Sequence, residues 1–197
     1  MRRLGRGRVV AIRGSRTSRD GIVFLLVNVT TRTHGWLQRE AVVSAPRAGD
    51  DRRLLELIKA SAGFDRIVRA RIFLDQFPRS SLRPQVLLLL GNAAEEQAAK
   101  LSREAAQRLK EISNSGQEIS NSGQNAEDVA VQRAPEFSYF LNYSGLDRYN
   151  RQRVMFLFDR ATKRFHYDGF AWRELIRRYP TSSEGIEARK RLAQLRI

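Results

Sequence analysis

The chain has 197 residues, 42% of them hydrophobic, which is enough for a core in one domain or two small ones. It has no cysteine, and this excludes a disulfide framework, a thiolate zinc site and a catalytic thiol. Its net charge is +15, and no apolar run approaches the ~18 residues of a membrane span, the longest being "VLLLL" at 86–90.

The charge is uneven. Residues 1–53 carry 12 basic and 4 acidic groups, 54–144 carry 11 of each, and 145–197 carry 13 and 6. Only five of the 36 basic residues are lysine. The planar fork of arginine makes two-point contacts to phosphate or carboxylate, so an anionic partner such as nucleic acid is one expectation. A genome that favours arginine codons is the other, because arginine is spread through every segment. The densest stretch is residues 1–19, with seven arginines and no acid; Arg2, Arg3, Arg6 and Arg8 are its candidate anion contacts. "MRRLGRGRVVAIRG" has no apolar stretch of signal-peptide length, so the chain as written has no export signal and reads as cytoplasmic.

Residues 7–45 read as strands. "RVVAIRG" at 8–14 is a short β-rich run, "SRTSRD" at 15–20 a polar loop, and "IVFLLVNVTTRT" at 22–33 a β-branched run that resists a helix. "HGWLQREAVVSA" at 34–45 places a turn at Gly35, and Pro46 and Gly49 end the segment. Short strands between glycine-bounded turns predict a small barrel. The stretch "GRVVAI…DGIVFLLVNVTTRTHGWLQREAV" resembles the bacterial Src-homology-3-like domain through Gly7, Val9, Val10, Gly35 and Trp36, over about 40 residues. That family opens with a further strand carrying "N-V-R-x-G-P", which this chain lacks. The resemblance therefore implies either an incomplete barrel or an upstream start, and an upstream export signal would place the protein in the bacterial envelope. Trp36 is a candidate binding platform for a peptide or a cell-wall glycan stem; its alternative is a place in the barrel core.

Residues 50–111 read as helical hairpins. Leu54, Leu55, Ile58 and Ala62 share one face of a first helix, capped by Asp50 or Asp51 and broken at Gly63. Ile67, Ala70, Leu74 and Phe77 form the face of a second, which Pro78 stops. Ser80 or Ser81 is positioned to cap a third, with Pro84 in its first turn. Leu87, Leu90, Ala94, Ala98, Leu101, Ala105 and Leu109 make its stripe, and Gly91-Asn92 is a candidate break. Residues 112–135 lose this period. "EISNSGQ" at 111–117 recurs unchanged at 118–124, with too little apolar content for a coiled-coil seam, so a tolerant flexible linker with a tandem duplication is expected.

Residues 136–197 are patterned again. Phe137, Phe140 and Leu141 are candidates to pack on the helices. Val154–Phe158 followed by "DRATKR" admits a hairpin, but 146–163 also suits a helix, which the surrounding helical hairpins favour. Trp172, Leu175, Ile176 and Tyr179 face a core from the next helix, with Asp168 as its cap and Pro180 at its end. Thr181 and Glu184 have capping-box spacing before a last helix whose inner face is Ala188, Leu192 and Leu195.

The phrase aromatic-Pro-polar-Ser-Ser occurs at Pro78 and again at Pro180, 102 residues on, three times a repeat of about 34 residues. "WRELIRRYPTSSEGIEARKRLAQL" is similar to tetratricopeptide repeats of envelope proteins, and "IFLDQFPRSS" is a weaker copy. Where that family places a small alanine twelve residues before the proline, this chain has Asp168 and Arg66. The resemblance implies stacked hairpins whose groove holds a protein or peptide partner.

Catalytic chemistry has little to stand on. His34 and His166 are the only histidines, and the His166–Asp168 pair lacks a third ligand or an activated nucleophile. No phosphate-cradling glycine loop or nucleophile elbow occurs, and no cofactor or metal is expected. The sequence therefore predicts an α+β fold, mainly α: a β-barrel-like domain at 1–46, helical hairpins at 50–111, a linker at 112–135, and a tetratricopeptide-like hairpin and C-terminal helix at 136–197. The expected function is a non-catalytic protein-interaction scaffold of the bacterial cell envelope. The alternative is a basic nucleic-acid-binding module that uses the arginine-rich N-terminus.

Overall fold

A computed structural model describes residues 4, 8–45, 47–121 and 145–195, with the side chains of Leu109 and 112–121 outside that description. Phe137, Phe140 and Leu141 also lie outside it. The fold is α+β and mainly helical. Strands β1 (Ala11–Thr17), β2 (Val23–Asn28) and β3 (His34–Gln38) come first, followed by a 3-10 turn at Arg39–Ala41. Helices α1 (Asp50–Lys59), α2 (Gly63–Gln76) and α3 (Arg83–Asn121) follow. The last part runs α4 (Leu146–Asn150), β4 (Phe156–Asp159), β5 (Arg164–Tyr167), α5 (Phe170–Arg178) and α6 (Ser183–Gln194).

The strands form an antiparallel sheet in the order β1–β2–β3. Each connection is a tight turn. Gly21 sits at φ +76, which glycine adopts without Cβ strain, and donates its N–H to the Ser18 carbonyl at 3.1 Å. At the other end of the sheet, Thr30 Oγ1 accepts the Thr33 N–H at 3.0 Å. The barrel expectation is not met among the described residues: β1 and β3 are both open edges. Three strands of seven, six and five residues are too few to curl back on themselves, and the chain turns helical at Asp50 before another can form. A register shift between Ile12 and Gly14 bulges β1 and, with exposed Arg13, blunts that edge against further pairing.

The helices are set by their apolar spacing. Leu54, Leu55 and Ile58 are buried on α1, and Ile67, Ala70, Phe73 and Leu74 on α2; Ala62 is exposed. α3 carries the core's spine: Val86, Leu87, Leu90, Ala93, Ala94, Ala98, Leu101 and Ala105 are all buried. Gly91-Asn92 does not break it. The helix runs unbroken for 39 residues, because Gly91 is the flat spot on which the Trp172 indole rests. It also continues past residue 111 to Asn121, through the first "EISNSGQ" and into the second, so the expected linker is helical over its first ten residues, 112–121. Residues 122–135 lie outside the description.

The segment at 146–163 is a correction. Only Leu146–Asn150 is helical, and β4 and β5 form a hairpin, with Phe156 opposite Tyr167 and Phe158 opposite Phe165. That alternation turns four aromatic rings to one face, where Tyr149, Phe165 and Tyr167 are buried. The turn is built by Asp159, whose carboxylate accepts the Thr162 hydroxyl at 2.6 Å and the Ala161 N–H at 2.9 Å. The Thr162 hydroxyl, and then the backbone N–H, hold the Asp159 carboxyl below its ordinary range. Polar groups of α3 clip the hairpin in place. Ser102 Oγ accepts the Phe165 N–H at 2.8 Å and Glu95 accepts the Tyr167 N–H at 3.2 Å. The Tyr149 hydroxyl donates to Gln97 at 3.0 Å. Burial raises the pKa of the Tyr167 phenol well above its ordinary value, and its oxygen accepts the Ala171 N–H.

One hydrophobic cluster runs from Leu54 to Ala188, with residues of both 50–111 and 145–195 in it. Both proline joints work as helix stops. At the first, Ser80 Oγ accepts the Leu82 N–H and donates to Asp51 at 2.7 Å, which ties the joint to α1 and holds the Asp51 carboxyl below its ordinary range. Arg83 donates to the Leu74 and Phe77 carbonyls at the end of α2, and Phe77 also accepts the Ser80 N–H. At the second, Ser182, not Thr181, is the cap. Its Oγ accepts the Gly185 N–H at 3.0 Å, while Glu184 faces solvent and receives the Ser183 hydroxyl. Asp168 stands one residue outside the Gly169 cap of α5, and its carboxylate accepts the Phe170 N–H at 3.0 Å.

Candidate functional site

The period of two in a strand sorts the sheet residues into two faces. On β2, Phe24 lies between Arg16 and Gln38, and Leu26 lies between Gly14 and Trp36. These six residues share one face. The other face holds Val23, Leu25, Val27 and Leu37, and Val27 is fully buried. Arg16 and Trp36 are on opposite edge strands, two residues out of line along β2, within reach of a long side chain across it. The Arg16 guanidinium stands 4.4 Å from the Trp36 ring centroid and 5.9 Å from that of Phe24, a cation–π stack. Trp36 keeps 41% of its surface exposed, so it is not a core residue. A Cβ added at Gly14 would meet nothing within 4 Å, so the sheet is bare beside the stack.

Six arginines lie in the sheet segment, Arg8, Arg13, Arg16, Arg19, Arg32 and Arg39, all exposed, and Arg16 is on this face. None has a carboxylate partner among the described residues. The only acids in that segment are Asp20 and Glu40, and Glu40 pairs with Arg47 at 3.9 Å. The helical part contrasts with this. Arg66, Arg69, Arg71, Arg173, Arg177, Arg178 and Arg191 each sit against Glu96, Asp65, Asp75, Asp168, Glu174 or Glu187. Arginine occurs in every segment but is paired unevenly. In the sheet segment none of the six is paired, whereas in the helical part paired arginines stand beside others without an ion pair among the described residues, such as Arg79, Arg103, Arg153 and Arg189.

The joint between sheet and helices is also electrostatic. Asp50, fully buried, accepts the Ser44 N–H at 2.8 Å and Arg53 Nη1 at 2.7 Å, with Arg47 Nε at 3.8 Å. Arg53 in turn donates to the Val42 and Glu40 carbonyls just after β3. Asp50 is therefore a clasp, not the cap expected of it; the cap position is Gly49, at φ +82.

Of the sequence candidates, Trp36 is exposed on β3, Arg8 is exposed in the stretch before β1, and Arg2, Arg3 and Arg6 lie outside the described residues. Arg16, the residue in contact with Trp36, was not singled out by the sequence. Its relation to Trp36 depends on the register of both edge strands against β2, which no local spacing encodes. His166 and Asp168 are not brought together by a hydrogen bond. His166 lies opposite Leu157 in the hairpin, and the Asp168 carboxylate is taken by Phe170 N–H and Arg173. His34 is exposed opposite Asn28. Among the described residues no group of three or more His, Asp or Glu side chains is arranged to hold a metal, and no helix is long and apolar enough to cross a membrane. No protein-family model, curated protein or solved structure matches the chain.

Proposed function

We propose that the chain is a non-catalytic binding protein that presents the Arg16–Trp36 face of its sheet to an anionic partner. The helical part, with its single core, serves as the rigid body behind that face. The observation that carries this reading is that none of the six arginines of residues 8–39 has a carboxylate partner among the described residues. Six like charges without carboxylates repel one another across a small sheet, and an anionic partner relieves that repulsion. Exposed guanidinium groups also lose little hydration on meeting phosphate or carboxylate.

Retention on a heparin column tests it. Wild-type protein is expected to elute late in a salt gradient, and Arg13→Ala/Arg16→Ala/Arg19→Ala clearly earlier. Each lost contact to a flexible polyanion reduces the slope of log K against log salt by about 0.7. Identical elution of the two proteins would remove the sheet face from consideration.

The scaffold reading has its own observation. Met155, Leu157, Phe170 and Ile186 are large, apolar and exposed in the C-terminal part. A protein or peptide partner held there would respond to Leu157→Asp and Phe170→Asp and ignore the arginine substitutions. A place in the cell envelope belongs to that second reading.

A further inference from the structure

We propose that the anionic partner is a single-stranded nucleic acid, with one base stacked against the Arg16–Trp36 pair. The proposal rests on the reading of the sheet face given above and specifies its ligand. A polyanion without planar groups needs only the arginines and gains nothing from an indole kept 41% exposed among them. Unpaired bases have flat faces, and both tryptophan and a guanidinium plane stack on them. Here the two stacking groups are already stacked on each other, so the pair is ordered before a base arrives.

The surroundings fit the same ligand. Gly14 leaves open space on the same face for a neighbouring base. Gln38, exposed and on that face, offers an amide donor and acceptor to a base edge. Arg19 lies in the turn at one end of β2 and Arg32 in the turn at the other, about 20 Å apart by the rise of six extended residues. They bracket the stack with cations where a backbone crossing the sheet would carry phosphates. Duplex DNA hides its base faces inside its own stack, so it would meet only the arginines.

Titrating the full chain with a single-stranded oligonucleotide of about ten nucleotides, a typical site size for a small sheet-based binder, tests this by tryptophan fluorescence. Trp172 is buried, so quenching reports Trp36. The single strand is expected to quench and to bind more tightly than the same sequence as duplex. Trp36→Leu is expected to weaken single-strand binding roughly ten-fold, Trp36→Phe less, because stacking needs a ring. Arg16→Lys keeps the charge and loses the plane. It should weaken the single strand and leave heparin elution unchanged, with an unchanged urea midpoint showing that the variants are folded. Unmoved fluorescence, with Trp36→Leu as tight as wild type on a column that still retains both, would overturn the stacked base and leave the anionic sheet standing. Quenching by polyglutamate but not by the oligonucleotide would also overturn it, in favour of an acidic protein. Failure to bind heparin as well as the oligonucleotide would remove both readings together.

Discussion

Replacing Gly91 with alanine is expected to destabilise the protein by about 2 kcal/mol, seen as a lower urea midpoint at unchanged slope. Two effects oppose each other. Alanine is the better helix former by about 1 kcal/mol, and Gly91 lies inside a helix of 39 residues, so propensity alone predicts stabilisation. The added Cβ, however, would stand 2.6 Å from Trp172 Cδ1 and 2.7 Å from Cε2, where carbon atoms rest at about 3.5–4.0 Å. Trp172 is 1% exposed and packed edge-on against Tyr167, so its ring has nowhere to retreat. Overpacking of this kind costs roughly 1–3 kcal/mol and more where nothing yields, and here it exceeds the propensity gain. The double-mutant cycle with Trp172→Leu separates the two terms: in that background alanine at 91 should be neutral or stabilising. A stabilising Gly91→Ala in the wild-type background would show that the indole does not rest on this helix.

The same glycine shows why parts of the fold were legible in the sequence and others were not. The faces of α1, α2, α5 and α6 follow from local spacing, because each helix buries one stripe whatever it packs against. The proline joints were legible for a similar reason: proline acts on the residue beside it and serine caps within three residues. Gly91 has the local signature of a break and the tertiary role of a landing site, and only the position of Trp172, 81 residues on, distinguishes them. The β4–β5 hairpin was hidden because each strand is four residues long, too short for alternation to outweigh a helical pattern. The linker expectation failed at 112–121 because extending a formed helix needs one bond per residue, and serine, asparagine and a single glycine each cost less than about 1 kcal/mol. At the candidate site, Trp36 was legible as a candidate platform, although the turn expected at Gly35 is absent: Gly35 lies inside β3, opposite Val27. Arg16 was not, because it meets Trp36 across a strand that neither belongs to.

Asp50→Ala is expected to loosen the sheet's attachment, with limited trypsin cleavage near Arg39 and Arg47 becoming faster. Asp50 has no exposed surface and holds three groups at once: the Ser44 N–H, Arg53 and Arg47. Removing one partner of a buried pair costs about 3–5 kcal/mol when the other is left dry. Arg53 and Arg47 keep 40% and 30% of their side-chain surface exposed, so water can take over part of the loss, and a cost of about 2 kcal/mol is expected. Asp50→Asn retains an acceptor for the Ser44 N–H and gives up the charge, so its effect should be smaller. The cost should be local. The Leu54–Ala188 core contains no residue of β1, β2 or β3, so its unfolding midpoint should move less than the cleavage rate and the exchange rate of the Ser44 amide. Equal protection of that amide in wild type and Asp50→Ala would show that the clasp does not hold the sheet. If it does hold, anion binding should weaken in Asp50→Ala although no arginine has been touched, because the sheet face binds as an ordered array and its order is fixed at Asp50.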